Sequence, residues 1–303
     1  MQPLKGKIAV VAGATRGAGR GIACMLGAQG ATVYCTGRST RAKQVAPRGA
    51  DDTPFTLATR TETIEQTAAL VTAYGGEGRY VRVDYSVEDE VRTLFEQLRA
   101  EHGRLDILIN DVWGGDELAI WGKPFWELPV DSGWRMQEVA VRTHIIAAKY
   151  AAPLMLAAGS GLIVEIGDGD NTSYRGSLYY DLAKASVARL ALAMAEELRP
   201  HGITALYVTP GLLRSEAMLE HFGVTEANWR DGAQVDANFI ASETPFFVGR
   251  AVAALAADPN VHAKSGGIFT SWELSDEYGF SDIDGNRPHW GRHYAALKAQ
   301  GAQ

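Results

Sequence analysis

Tyr180 and Lys184 stand four residues apart in Tyr180-Asp181-Leu182-Ala183-Lys184, a spacing that puts a phenol and an ammonium on one face of a helix. A phenol near its ordinary pKa of about 10 costs roughly 4 kcal/mol to ionise at pH 7. A nearby lysine cation lowers that cost. The pair therefore suits proton exchange at a reacting carbon's heteroatom: Tyr180 donates to a carbonyl oxygen as hydride arrives, or accepts from an alcohol in reverse. The spacing alone is a weak pattern, so its place in the chain decides its worth.

A second group of residues points to a phosphate-bearing partner for that chemistry. In Gly13-Ala14-Thr15-Arg16-Gly17-Ala18-Gly19 an apolar run passes through glycines into a helical stretch. Such a turn lets the backbone approach a pyrophosphate at the positive end of the helix dipole. Gly13, Thr15, Arg16, Gly17, Ala18 and Gly19 are the expected contacts. NAD-binding units commonly end the second strand with an acid that holds the ribose 2′-hydroxyl. This chain instead reads Tyr34-Cys35-Thr36-Gly37-Arg38-Ser39. Arg38 beside Ser39, with Arg16 within the loop, suits a 2′-phosphate, because a guanidinium fork matches phosphate oxygens. The expected cofactor is NADP(H).

Positioning these groups requires a particular scaffold. Short apolar runs at 7–12, 32–36, 79–83, 105–109, 161–166, 203–208 and 267–270 alternate with helical stretches near 18–29, 61–74, 87–102, 131–158, 179–199 and 243–257. That rhythm predicts a doubly wound parallel α/β sheet, Rossmann-like, with ligands beyond the carboxyl ends of the strands. No linker, repeat or charge block divides the chain, so residues 1–303 are read as a single domain. Three stretches break the rhythm: 39–60, 112–129 and 215–242. The last two are the expected substrate loops. Trp113, Trp121, Phe125, Trp126 and Trp229 suggest an apolar or ring-containing small-molecule substrate.

Gly13, Gly17 and Gly19, then Asp84, Asn110, Tyr180 with Lys184, and Pro210-Gly211 occur in an order that resembles the short-chain dehydrogenases/reductases over nearly the whole chain. Phe125-Trp126-Glu127, the run from Pro210-Gly211 to Ser215-Glu216, and the ending Tyr278-Gly279-Phe280-Ser281-Asp282-Ile283-Asp284-Gly285 are most similar to the dehydrogenase/reductase member 1-like branch. The resemblance implies that Asp84 and Tyr85 contact adenine and that Asn110 lines the cofactor groove. It also implies that Lys184 holds the nicotinamide ribose, and that Pro210, Gly211 and Ser215 border the carboxamide. A homodimer or homotetramer is implied as well.

Two positions depart from the family pattern. The expected serine before the tyrosine falls on Gly167 or Asp168, and the expected helix asparagine on Ala140. Thr172 or Ser173 can supply the missing hydroxyl, and Asp168 can replace it as an acceptor for an amine, an iminium or a hydroxyl. Apolar surroundings would then raise the Asp168 pKa. Alternatively, Tyr180 and Lys184 work alone, or the chain is a nucleotide-binding regulatory or non-redox protein on the same fold.

The remaining composition narrows the classes. A net charge of −7 over 303 residues with 46% hydrophobic content gives no basic footprint for nucleic acid or anionic membrane. No apolar run reaches a membrane-spanning length, and no signal-peptide layout opens the chain, so a cytoplasmic location is expected. Two cysteines, Cys24 and Cys35, form no disulfide framework. No His-Glu-x-x-His motif or Cys–His cluster is present, and no metal is expected.

Overall fold

The computed structural model describes residues 2–169 and 173–299. Seven parallel strands form one sheet in the order β3-β2-β1-β4-β5-β6-β7. They are β1 (Ile8–Ala12), β2 (Thr32–Gly37), β3 (Glu77–Arg82), β4 (Ile107–Asn110), β5 (Gly161–Ile166), β6 (Ile203–Thr209) and β7 (Ile268–Thr270). All seven expected strands are present within two residues or so of their expected ends. The sequences IAVVA of β1 and ITALYVT of β6 are buried at every position, as strands covered on both faces require. Edge strand β3 has only exposed and half-buried residues and carries Arg79 and Arg82, which discourages pairing with another edge.

Helices cover both faces. Helix α1 (Gly17–Ala28) packs against α8 (Pro245–Ala257), with α2 (Ile64–Ala73) alongside on the first face. Helices α3 (Glu88–His102), α5 (Thr143–Ala158) and α6 (Leu178–Leu198) close the other. Chain order reverses between β1 and β4, and this switch opens a crevice beyond their carboxyl ends. Glycine permits the close approach of α1 to α8: a Cβ at Gly21 would stand 1.9 Å from the Pro245 carbonyl oxygen.

Local chemistry explains several boundaries. Thr63 and Gln66 form a reciprocal capping box that starts α2 three residues later than periodicity alone suggests. The expected 131–158 helix is interrupted: α4 (Val130–Gln137) passes through a π-helical turn, Glu138–Arg142, into α5. Ala140, where the family pattern places asparagine, is buried in that turn, and such insertions commonly accompany functional sites.

The 215–242 stretch is more ordered than a loop. It contains α7 (Glu216–His221) and two short 3₁₀ turns, and Arg214 anchors it. The Arg214 guanidinium is buried, donates to the Ser242 carbonyl at 2.8 Å and to Asp284 at 3.0 Å, and lies 3.9 Å over the Trp229 ring. Helices α9 (Ser271–Tyr278) and α10 (Trp290–Ala299) were not signalled by periodicity. No helix among the described residues is long and apolar enough to cross a membrane.

Candidate active site

A cleft of about 1080 Å³ runs along the carboxyl ends of the strands, from the glycine turn to the first turns of α6. The Gly13–Gly19 segment forms one wall. Gly13 has φ of +93°, and a Cβ there would stand 2.3 Å from the Asp111 carbonyl oxygen, so the turn depends on glycine. Helix α1 begins with no side-chain cap and no acid in its first turn, which leaves its N–H groups and positive dipole end to other partners. The Gly17 N–H donates to Glu216 of α7 at 2.8 Å.

Thr15, Arg16, Gly17, Ala18, Arg38, Ser39, Asp84 and Tyr85 line this half of the cleft, as anticipated. Arg38 lies 3.9 Å from Asp84 and is half exposed, while the Tyr85 hydroxyl meets Thr36 Oγ1 at 2.6 Å. Lys43 joins them from the 39–60 loop, a residue the sequence reading missed because nothing in its spacing marks it. Burial, then the charges of Arg16 and Arg38, hold the Lys43 ammonium below its ordinary pKa. Three cations thus gather at one end of the cleft.

Two expected cofactor contacts stand behind the wall instead of on it. Gly19 packs under the turn, where a Cβ would stand 2.4 Å from the Gly13 carbonyl oxygen. Asn110 is wholly buried and donates to Glu165 at 2.6 Å. Glu165 also holds His144 Nδ1 at 2.5 Å, and His144 Nε2 contacts the Val112 carbonyl at 3.0 Å. Burial opposes the imidazolium, but the charge and hydrogen bond of Glu165 outweigh it and raise the His144 pKa. This buried group fixes the turn carrying Asp111 and Trp113. Burial pushes the Asp111 carboxyl up to about 7, with the Lys184 charge opposing. Its members, from β4, β5 and α5, are too far apart in sequence to announce themselves.

At the other end of the cleft, Tyr180 and Lys184 both face inward from α6. The Tyr180 hydroxyl donates to Asp168 Oδ2 at 2.6 Å, and Arg175 donates to Asp168 Oδ1 at 2.5 Å. Gly167 is thereby excluded as a serine-like position, since a Cβ there would stand 2.4 Å from the Tyr207 hydroxyl oxygen. Ser173 lines the cleft, whereas Thr172 lies outside the described residues.

The protonation expected for this cluster is reversed by its geometry. Burial disfavours the Asp168 anion, but the hydrogen bond and charge of Arg175, with Lys184 and the Tyr180 hydroxyl, hold the carboxyl below the usual range. Burial, then the Asp168 charge and hydrogen bond, raise the Tyr180 pKa where a lowered one was expected. Lys184 does not offset this: its ammonium lies 3.8 Å over the Trp113 ring, and burial lowers its own pKa. The Tyr-x-x-x-Lys spacing recurs at Tyr294 and Lys298, so the Asp168 carboxylate and the strand-end position, more than the spacing, distinguish Tyr180.

The aromatic expectation is partly revised. Trp113 lines the cleft and meets the Tyr180 ring edge-on at 5.4 Å, and Trp121 packs on the same ring at 5.0 Å. Phe125 and Trp126 are exposed, and Trp229 is buried beneath Arg214 and against Phe239, away from the cleft wall. Trp272, Trp290 and Tyr294 from α9 and α10 take their place. His289 and His293 stand one helical turn apart, but they face Asp276 at 3.4 Å and Asn238 at 3.0 Å. No group of three or more metal-binding side chains occurs among the described residues.

Known proteins share this arrangement of elements. A family model described as enoyl-(acyl carrier protein) reductase matches residues 42–263. Dehydrogenase/reductase SDR family member 1 of Homo sapiens is 36% identical over 288 residues, covering 93% of this chain and 85% of the relative. A Beutenbergia cavernae protein described as a candidate NAD(P)-dependent gluconate 5-dehydrogenase, solved with NADP at low occupancy, superposes with a TM-score of 0.67 at 23% identity, covering 88% of this chain and 96% of that one. A 7α-hydroxysteroid dehydrogenase solved with NADH and 7-oxo glycochenodeoxycholic acid gives 0.67 at 21% identity, covering 94% and 96%. Both structures speak to the fold.

Proposed function

The chain belongs to the short-chain dehydrogenase/reductase family of oxidoreductases, and from that premise we propose an NADP(H)-dependent enzyme that moves hydride to a carbonyl or imine carbon, or from the alcohol in reverse. The observation that carries this reading is the meeting of Tyr180, Asp168 and Lys184 with the glycine turn in one cleft. The glycines whose Cβ atoms would collide and the uncapped start of α1 fit a dinucleotide pyrophosphate. Arg16, Arg38 and Lys43 favour a 2′-phosphate over a free hydroxyl. Asp84 and Tyr85 would border the adenine, Lys184 the nicotinamide ribose, and Pro210, Gly211 and Ser215 the carboxamide. When bound, the nicotinamide supplies hydride chemistry.

The protein's part is orientation and charge. Asp168, held by Arg175, fixes the Tyr180 hydroxyl at the substrate heteroatom, where it serves as hydrogen-bonding and proton-exchanging group. The Ser215 hydroxyl also caps α7 by accepting from the Met218 N–H at 3.3 Å, so α7 is tied to the carboxamide end. Trp113, Trp272, Trp290 and Tyr294 favour a flat apolar small molecule. A cytoplasmic homodimer or homotetramer belongs to the same reading, supported by exposed Ile145 on α5 with Leu178 and Leu182 on α6.

The test couples binding to isotope transfer. NADPH should quench tryptophan fluorescence in the wild type and fail to do so in Gly17→Trp. Deuteride from labelled NADPH should appear in the product of at least one member of a carbonyl and imine panel. Loss of both signals in the wild type refutes the assignment.

A further inference from the structure

Every polar atom that Asp168 and Tyr180 offer to a reacting group is an acceptor. The Tyr180 proton is directed to Asp168 Oδ2, and Arg175 occupies Asp168 Oδ1; each oxygen keeps a lone pair free. A bare ketone oxygen, itself only an acceptor, finds no donor in this pair. Resting on the oxidoreductase reading above, we infer that the substrate is a protonated or N-alkylated imine on a flat apolar frame, reduced to an amine with Asp168 as its counter-charge.

The chemistry of an iminium matches what the residues provide. As hydride from a reduced nicotinamide forms the new C–H bond, the C=N π pair moves to nitrogen. The product is a neutral amine, the nicotinamide is oxidised, and no proton is needed from the protein. A ketone instead leaves an alkoxide that Tyr180 must protonate, generating a tyrosinate beside the Asp168 anion. That step is costly here, because burial and the Asp168 charge both raise the Tyr180 pKa, whereas Asp168 itself stays ionised.

Shape agrees. Asp116 and Asp168 line this half of the cleft with Arg175 and Lys184, and Arg175 takes Oδ1 of Asp168, leaving Oδ2 with the Tyr180 hydroxyl. The rings of Trp272 and Trp290, which line the same cleft, add cation–π attraction for a delocalised cation. They offer less to a neutral ketone of the same outline.

N-methyl-dihydroisoquinolinium and tetralone, of similar shape, separate the two substrate classes. The wild type should reduce the iminium with the higher kcat/KM. Asp168→Ser should lower that value by about 10- to 100-fold, the scale of a charge-assisted interaction, and improve tetralone reduction. Tyr180→Phe should lower tetralone turnover more than iminium turnover, because only the ketone draws a proton from the phenol.

A readout independent of turnover is the affinity for tetrahydroisoquinolinium, followed by tryptophan fluorescence. Asp168→Ser should weaken it more than it weakens tetralone binding, with the NADPH Kd unchanged. Preference of the wild type for tetralone, an unchanged iminium-to-ketone ratio in Asp168→Ser, or NADPH binding with neither compound turned over overturns the iminium assignment alone. Absence of NADPH binding overturns the oxidoreductase reading instead.

Discussion

Glu243→Gln should convert a pH-dependent weakness of the fold into a pH-independent one. Glu243 is wholly buried at the start of α8, where its Oε2 accepts from the Ser271 hydroxyl at 2.6 Å and from the Gly211 N–H at 2.9 Å. Its Oε1 has no partner. Burial pushes the carboxyl from 4.5 up to about 8, with the two hydrogen bonds opposing. Between those values the folded protein binds more protons than the unfolded chain, so the contribution is fully present below about pH 4.5 and is lost as pH rises through about 8. At about 1.4 kcal/mol per unit, the full window is worth roughly 5 kcal/mol. Local relaxation that admits water reduces this to about 2 kcal/mol. Glutamine keeps the neutral form's shape and removes the titration. Urea unfolding of both proteins from pH 5.5 to 9 should show wild-type stability falling more steeply up to about pH 8, with a constant gap between the curves above it. Parallel curves would refute the reasoning, and with it the claim that Gly211 rests on a protonated Glu243.

Three further outcomes follow from particular contacts. Arg38→Ala combined with Lys43→Ala should raise the NADPH Kd by about 10- to 100-fold and barely change the NADH Kd, because only the 2′-phosphate loses charge-assisted partners; equal losses in calorimetric titrations would remove these residues from that role. Glu216→Gln takes a negative charge off the Gly17 N–H and away from Arg20, so NADPH binding should tighten about threefold to tenfold at low salt with a steeper salt dependence, and an unchanged Kd would show that this carboxylate does not oppose the phosphates. Gly21→Ala should cost about 3 kcal/mol or more by driving α1 from the Pro245 carbonyl, whereas Gly279→Ala, with φ of +75° and nothing within 4 Å, should cost about 1 kcal/mol from backbone strain alone; similar melting temperatures for the two variants would contradict the packing argument.

Local pattern was enough for the scaffold. The apolar runs of β1, β4, β5 and β6 had to be strands covered on both faces, and alternation with helical stretches left a parallel doubly wound sheet as the economical arrangement. The glycine turn, Arg38 and the Tyr180–Lys184 pair were legible for the same reason: each is a short-range constellation whose spacing carries its geometry. Helices α9 and α10 were missed because short amphipathic segments near a chain end carry weak periodicity. Their aromatic residues reach the cleft because α9 follows β7 directly and the segment after it is tied back by Asp282 to Thr244 and by Asp284 to Arg214.

By itself, the sequence determined that Tyr180 and Lys184 would stand on one helical face beyond a strand end, on the side of the sheet that carries the Gly13–Gly19 turn. What surrounds the phenol was decided by tertiary structure. Asp168 and Arg175 approach from the β5–α6 connection, Asp111 from the end of β4, and Trp113 takes the Lys184 ammonium that was expected to acidify Tyr180. Protonation depends on burial and on partners brought together across the sheet, neither of which is a property of spacing along the chain. Only the fold therefore revealed a Tyr180 whose proton is held by a carboxylate.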